Sequence, residues 1–288
     1  MVCVVGDAFV DITIPIPLEN IAYGGVNSTK INVECGGTAN VAVWLSRLGI
    51  KSSFFGKVGN DVFGRIFKED LKNEGVVDLT TVGDNLQTGI CICIIDKSGE
   101  RSMIVDRGAN DYIELMDVNR YLHEISKADL IYFMGYSLIS RVTSKSIEYL
   151  IREISGDKTV CFNPGSYNII GNKHRNIIKN YCDMIILNLE EARELTKMKD
   201  IEYILEHLES LVDIVVLTMG GEGCIVSNKG KRIMIPALRV KNVVDTTGAG
   251  DAFSAGFLKG FVEGLGLEEC ARIGHKVASE VIQRFGAR

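Results

Sequence analysis

Asp245-Thr246-Thr247-Gly248-Ala249-Gly250-Asp251-Ala252-Phe253 is the stretch from which the rest of the chain is read. It follows a short strand pattern, Arg232-Ile233-Met234-Ile235, closed by Pro236. It precedes apolar residues at helical spacing, Phe253, Phe257, Leu258 and Phe261. The expectation is a turn opening onto a helix. Gly248 and Gly250 let the backbone fold tightly and come close to a ligand. The N-terminus of a helix leaves several N–H groups unpaired and carries the positive end of the dipole, so an anion is held there without any side-chain charge.

Asp251 would repel an anion that is merely stored. It makes sense if the anion is transferred, because phosphoryl transfer needs negative charge stabilised on the moving group and a base to take the proton of the attacking hydroxyl. The amides of Gly248, Ala249 and Gly250 are the candidates for the first role and Asp251 for the second. The plain alternative is a helix with an acidic first turn, but that would not require a Gly-Ala-Gly turn bracketed by Asp245 and Asp251. A dinucleotide fingerprint would need Gly where Phe253 stands, and no Gly-x-x-x-x-Gly-Lys-Ser/Thr phosphate loop occurs in the chain.

This stretch resembles the signature of the ribokinase-like (PfkB-type) carbohydrate kinases. The resemblance implies a doubly wound, mostly parallel α/β sheet flanked by helices, with a small β-sheet lid. It implies that Asp251 is the catalytic base and Gly248 to Gly250 the anion hole. It also implies ATP and Mg²⁺, leaves room for a monovalent cation, and suggests a homodimer formed through the lid.

The whole chain accommodates this. Its 288 residues suit one large α/β domain or two small ones, and the resemblance favours a single domain, 1–288. A net charge of −5 without a basic run argues against nucleic acid as the main partner. No apolar run approaches the ~20 residues that span a bilayer, and Val2-Cys3-Val4-Val5-Gly6 reads as a buried strand rather than a signal peptide. A cytoplasmic location is the expectation. The eight cysteines form no Cys-x-x-Cys pair and read as small core residues in a reducing compartment.

Along the chain, Asp7 and Asp11 follow the first strand at its carboxyl end, where open α/β sheets gather ligands. Ile12 to Ile14 and Lys30 to Val33 alternate as strands do, with a loop at Gly24-Gly25 between them. Gly36-Gly37-Thr38-Ala39-Asn40 is read as opening a helix, with Asn40 able to donate and accept toward hydroxyls. Helix capping explains these residues as well, until the resemblance assigns Asp11, Gly36, Gly37 and Asn40 to the acceptor sugar. Ser52 to Val58 and Val76 to Val82 each read as a strand. Thr88 to Ile95, a turn at Asp96 to Glu100, and Arg101 to Val105 read as a hairpin. Since Gly89 to Ile95 has no polar residue, both of its faces are expected to be covered. With residues about 12–35, the hairpin region 87–107 would form the lid. Arg107-Gly108-Ala109-Asn110 closes it, and Arg107 is a candidate substrate contact.

Beyond it, strands at Asp129–Met134, Thr159–Phe162, Met184–Leu187 and Ile214–Thr218 alternate with helices. Asn188 and Glu191 open one of these helices. They read either as a cap with an acidic first turn or, as the resemblance favours, as the residues that place a hydrated Mg²⁺. Thr218, Gly220, Gly221 and Gly223 form a turn against which the resemblance lays ATP, together with Thr246. The last helix is read as Leu267 to Phe285, with His275 assigned to the adenine slot. Two family features are missing. Gly135-Tyr136-Ser137 stands where ribokinases carry a ribose-binding Glu, and Cys161-Phe162-Asn163-Pro164-Gly165 lacks the usual Arg. The expected activity is an ATP-dependent kinase for a primary hydroxyl of a small sugar, with a nucleoside kinase as alternative. A non-catalytic sugar or nucleotide sensor would have no use for Asp251.

Overall fold

The computed structural model describes residues 1–15, 28, 31–95, 101–165 and 173–288. The first strand, β1 (Val2–Val5), is apolar throughout and fully buried. It pairs in parallel with β4 (Ser52–Phe55) on one side and with β10 (Leu130–Met134) on the other. Parallel pairing continues outward through β11 (Thr159–Asn163), β12 (Met184–Asn188) and β13 (Ile214–Thr218). The antiparallel hairpin β14 (Cys224–Asn228) and β15 (Lys231–Ile235) closes one edge, and the short β6 (Val77–Asp78) closes the other. The nine-stranded order is β15-β14-β13-β12-β11-β10-β1-β4-β6.

Continuous apolar strands need cover on both faces, and successive side chains of a strand point to opposite faces. In β1, Val2 and Val4 join one core while Cys3 and Val5 join the other. The first core is built with α1 (Ala39–Arg47), α2 (Val62–Asn73), α8 (Ala249–Val262) and α9 (Leu267–Val281). The second is built with α3 (Leu115–Ile125), α4 (Arg141–Ile154), α5 (Lys173–Tyr181), α6 (Leu189–Thr196) and α7 (Ile201–Glu209).

A second sheet stands apart from this frame. Its order is β3-β2-β8-β9, from β2 (Ala8–Pro15), β3 (Asn32–Gly37), β8 (Gly89–Ile95) and β9 (Arg101–Asp106). β2 pairs antiparallel with β3 and in parallel with β8. A third pairing joins β5 (Lys57–Gly59) and β7 (Thr81–Gly83).

Several sequence expectations change. Gly36 and Gly37 end β3 rather than open a helix, and Gly37, at φ +70°, turns the chain into α1. Ser52 to Val58 is two strands in different sheets, parted at Gly56, and Val76 to Val82 is likewise divided between β6 and β7. The final helix stops at Val281. Helices α3 and α7 lie in segments that periodicity left unassigned. The signal for α7 was its cap, since the Asp200 side chain accepts from the amide of Glu202 at 2.9 Å. The strand β8 is only half-buried over Ile90–Cys93, so one chain alone does not cover both of its faces. The Gly24-Gly25 loop and the hairpin turn at 96–100 lie outside the described residues. No helix among the described residues is long and apolar enough to cross a membrane.

Candidate active site

The turn before α8 is held by its own first residue. Asp245 Oδ1 accepts from the Thr247 amide at 2.9 Å and from its hydroxyl at 2.6 Å, and Oδ2 accepts from the Gly286 amide at 3.1 Å. Gly248 then caps the helix in the left-handed region, at φ +74°. A Cβ there would lie 2.7 Å from Ala287, so glycine is required twice over, by backbone angle and by contact. The Ala249 amide donates to the Thr246 carbonyl at 3.2 Å, which closes the turn. No carbonyl among the described residues accepts from the amides of Gly248 or Gly250. The amides left without a backbone acceptor, and so available to an anion, are those of Gly248 and Gly250. Ala249, expected among them, belongs to the turn.

Asp251 lies in the first turn of α8, where two cavities meet. The larger, about 730 Å³, runs beneath the small sheet and is bounded by Asp7, Asp11, Asn40 and Gly37 on its polar side. The smaller, about 160 Å³, opens toward Asn188, Thr218 and Gly250. Asp251, Gly248 and Glu191 line both. One Asp251 oxygen, Oδ2, accepts from Asn40 Nδ2 at 3.1 Å. Burial raises the Asp251 carboxyl to about 6, against the opposing hydrogen bond from Asn40 and the Arg288 charge. Asp11 is likewise raised to about 6, chiefly by burial, with Asp251 and Glu34 adding to the effect.

Gly36 serves Asp11 rather than a ligand, because a Cβ on it would fall 1.8 Å from Asp11 Oδ2. Gly36 does not line either cavity, while Gly37 lines the larger. Arg107 is also redirected. Its guanidinium donates to both oxygens of Asp7, at 2.8 and 3.0 Å, to Asp111 at 2.6 Å and to the Tyr136 carbonyl at 3.1 Å. It lines neither cavity and reaches the larger one through Asp7 and Tyr136, neither of which sequence reasoning placed in the site. Asn110 is a fixing residue too, bonding both backbone groups of Ala8, at 2.8 and 3.0 Å.

Asn188 and Glu191 form a reciprocal capping box at the start of α6, each accepting from the other's backbone amide at 2.9 Å. That satisfies the capping alternative. It leaves Glu191 Oε1 unused in the cap, on a carboxyl that burial raises to about 7. No group of three or more His, Cys, Asp or Glu that could hold a metal occurs among the described residues. A pair of this kind suits a hydrated Mg²⁺ whose remaining ligands are water and phosphate oxygens.

The nucleotide-side candidates are spread out. Thr218 lines the smaller cavity and Thr246 the larger. Gly220 and Gly221 have open space where a side chain would project, whereas Gly223, at φ +107°, packs against the Ile235 carbonyl. His275 is buried edge-on against Phe253, with ring centroids 5.1 Å apart, and lines neither cavity. Sequence reasoning missed Asn163, which borders the smaller cavity, and Arg288, which bonds Asn40 Oδ1 at 2.7 Å. A single Arg carries no motif, so nothing in the sequence pointed to it.

Comparison with known proteins places this arrangement. The profile of the pfkB family carbohydrate kinases matches residues 1–288. An uncharacterized sugar kinase of Archaeoglobus fulgidus is 34% identical over 248 residues, covering 85% of this chain and 96% of that one. The crystal structure of adenosine kinase from Sinorhizobium meliloti superposes with a TM-score of 0.91 at 26% identity, over 100% of this chain and 95% of that chain. An Arabidopsis thaliana ribokinase complexed with ribose and ATP superposes with a TM-score of 0.85 at 26% identity, over 99% and 93%. Since the match runs from end to end and takes in the helix that carries Asp251, this chain belongs to the pfkB family of carbohydrate kinases and is a sugar or nucleoside kinase.

Proposed function

We propose that the chain transfers the γ-phosphoryl group of ATP to a primary hydroxyl of a small sugar or sugar derivative. The observation that carries this reading is the place of Asp251, a half-buried carboxylate on the wall shared by two cavities. In this reading the larger cavity takes the acceptor and the smaller takes the phosphoryl group. Asp251 Oδ1, free of the Asn40 bond, removes the hydroxyl proton. The hydroxyl oxygen bonds to the γ-phosphorus, the bond to the β–γ bridging oxygen breaks, and ADP leaves. The amides of Gly248 and Gly250 stabilise charge on the moving group. Mg²⁺, held through Asn188 and Glu191 and by water, supplies charge neutralisation on the phosphates when bound. Asp11, Asn40 and the backbone of Gly37 hold acceptor hydroxyls. Gly220, Gly221 and Thr218 face the nucleotide.

We propose further that residues 1–288 act as one domain, with the small sheet as a lid over the acceptor. The edge strand β9 leaves Met103 and Ile104 exposed at 66% and 62%. A second copy covering that edge would supply the missing face of the lid.

One observation favours a nucleoside as acceptor. Beyond its polar side the larger cavity is walled by Phe9, Cys91, Cys93, Ile95, Met103 and Val105. An apolar flank in a pocket of this volume suits a base attached to the sugar. A screen of ADP release across D-ribose, other free sugars and nucleosides decides between the two. Turnover with one class is expected, and Asp251→Asn should abolish it while ATP still binds. Unchanged turnover in Asp251→Asn would remove this residue from the chemistry, and no turnover with any acceptor would overturn the kinase reading.

A further inference from the structure

Behind the acceptor site lies a chain of side chains that no motif contains. Arg288 is almost fully enclosed, with its side chain 8% exposed. Its Nε donates to Asn40 Oδ1 at 2.7 Å, its Nη1 pairs with Asp70 on α2, and its Nη2 is buried with no partner among the described residues. Asn40 Nδ2 in turn donates to Asp251 Oδ2 at 3.1 Å. The segment carrying Arg288 is tied down on both sides of the site. The Gly286 amide bonds Asp245 at 3.1 Å, and the Ala287 carbonyl accepts from Trp44 Nε1 at 3.0 Å. Ala287 also rests against Gly248 at the helix cap.

A guanidinium only donates, whereas an amide side chain can present either of its ends. Arg288 can therefore be met only by the Asn40 oxygen, and the Asn40 NH₂ is left to face Asp251. We propose that Arg288 is a positioning residue, one that fixes the Asn40 amide in the single orientation that presents its NH₂ to Asp251. This rests on the reading of Asp251 as the base. An NH₂ facing Asp251 favours the ionised carboxylate and reserves Oδ1 for the substrate proton. An Asn40 turned over would offer its oxygen and favour the protonated acid, which cannot act as a base. The charges near Asp251 come from several elements: Asp11 on β2, Glu191 on α6 and Arg288 itself, with the Tyr132 hydroxyl on β10. Among these, Arg288 is the cation whose charge favours the ionised form of Asp251.

The test reads the base directly and needs no substrate. The protein is labelled with ¹³Cγ-aspartate, and the Asp251 signal is assigned by its loss in Asp251→Asn. It is then titrated in the wild type, Arg288→Lys, Arg288→Gln, Asn40→Ala and the double variant Arg288→Gln/Asn40→Ala. Gln at 288 can accept as well as donate, so it no longer dictates how Asn40 faces. The Asp251 midpoint should rise by about one pH unit in Arg288→Gln. Arg288→Lys, still only a donor, should stay near the wild type. In the Asn40→Ala background, Arg288→Gln should add little, because the effect passes through Asn40. An unmoved midpoint in Arg288→Gln overturns the proposal. So does full additivity in the double variant, since charge alone would then account for the shift. If Arg288→Gln does not fold, Arg288→Met takes its place with the same two criteria. Failure of the kinase reading would show separately, as absent phosphoryl transfer in a wild type whose midpoints still behave this way.

Discussion

Asn40→Ala removes the one side chain among the described residues that hydrogen-bonds the proposed base, and the size of its effect follows from the geometry. Asn40 Nδ2 lies 3.1 Å from Asp251 Oδ2. A hydrogen bond to a charged group contributes about 1.5–3 kcal/mol, and about 1.4 kcal/mol corresponds to one pKa unit. Loss of the bond should lift Asp251 by about one to two units from its present value of about 6. A base works when ionised, so activity is lost as pH falls through its pKa in the folded protein. The acid limb of the rate profile, near pH 6 in the wild type, should move upward by that interval. At pH 7 the ionised fraction would drop from about nine-tenths to between roughly a half and a tenth. That gives a loss of about two- to tenfold which recovers at high pH. Any loss that persists there measures the acceptor contact of Asn40 itself. Single-turnover phosphoryl transfer at saturating ATP, followed by rapid quench across the pH range, reads the limb free of product release. Asp11, also near 6, must be told apart from Asp251. Asp11→Asn removes a negative charge beside the base, so it should move the limb downward, opposite to Asn40→Ala. A limb that holds its place in Asn40→Ala, or moves down, would falsify the assignment of Asp251.

Two further outcomes follow from the geometry. Glu191→Gln keeps the hydrogen bond to the Asn188 amide but removes the charge, so the α6 cap should hold and thermal stability should change little. The Mg²⁺ concentration for half-maximal activity should rise by about tenfold or more; an unchanged Mg²⁺ titration would leave Glu191 as a cap alone. Ile104→Lys places a charge on the exposed edge of β9, and sedimentation equilibrium should find a dimer for the wild type and a monomer for the variant. A wild type that is already monomeric would remove the lid interface from the reading.

The part of this protein that can be read along the chain is the part set by local pattern. Apolar strands such as Val2–Val5, alternating with helical segments, led to a parallel sheet, because only strands covered on both faces lack polar alternation. The Gly-Ala-Gly turn and Asp251 marked the helix start proposed to bind the anion, since backbone angle and N–H exposure follow from nearest neighbours. Tertiary contacts decided the rest. Gly36 turned out to make room for Asp11, Arg107 to brace Asp7, and Ala249 to close its own turn. None of these partners is visible in the local pattern. Arg288 joins Asn40 across 248 positions, and Asp251 meets Asn40 across 211. A hydrogen bond of that span has no periodicity to announce it. It exists because α1 and α8 pack on the same face of the sheet and bring their first turns together, and only the folded chain establishes that.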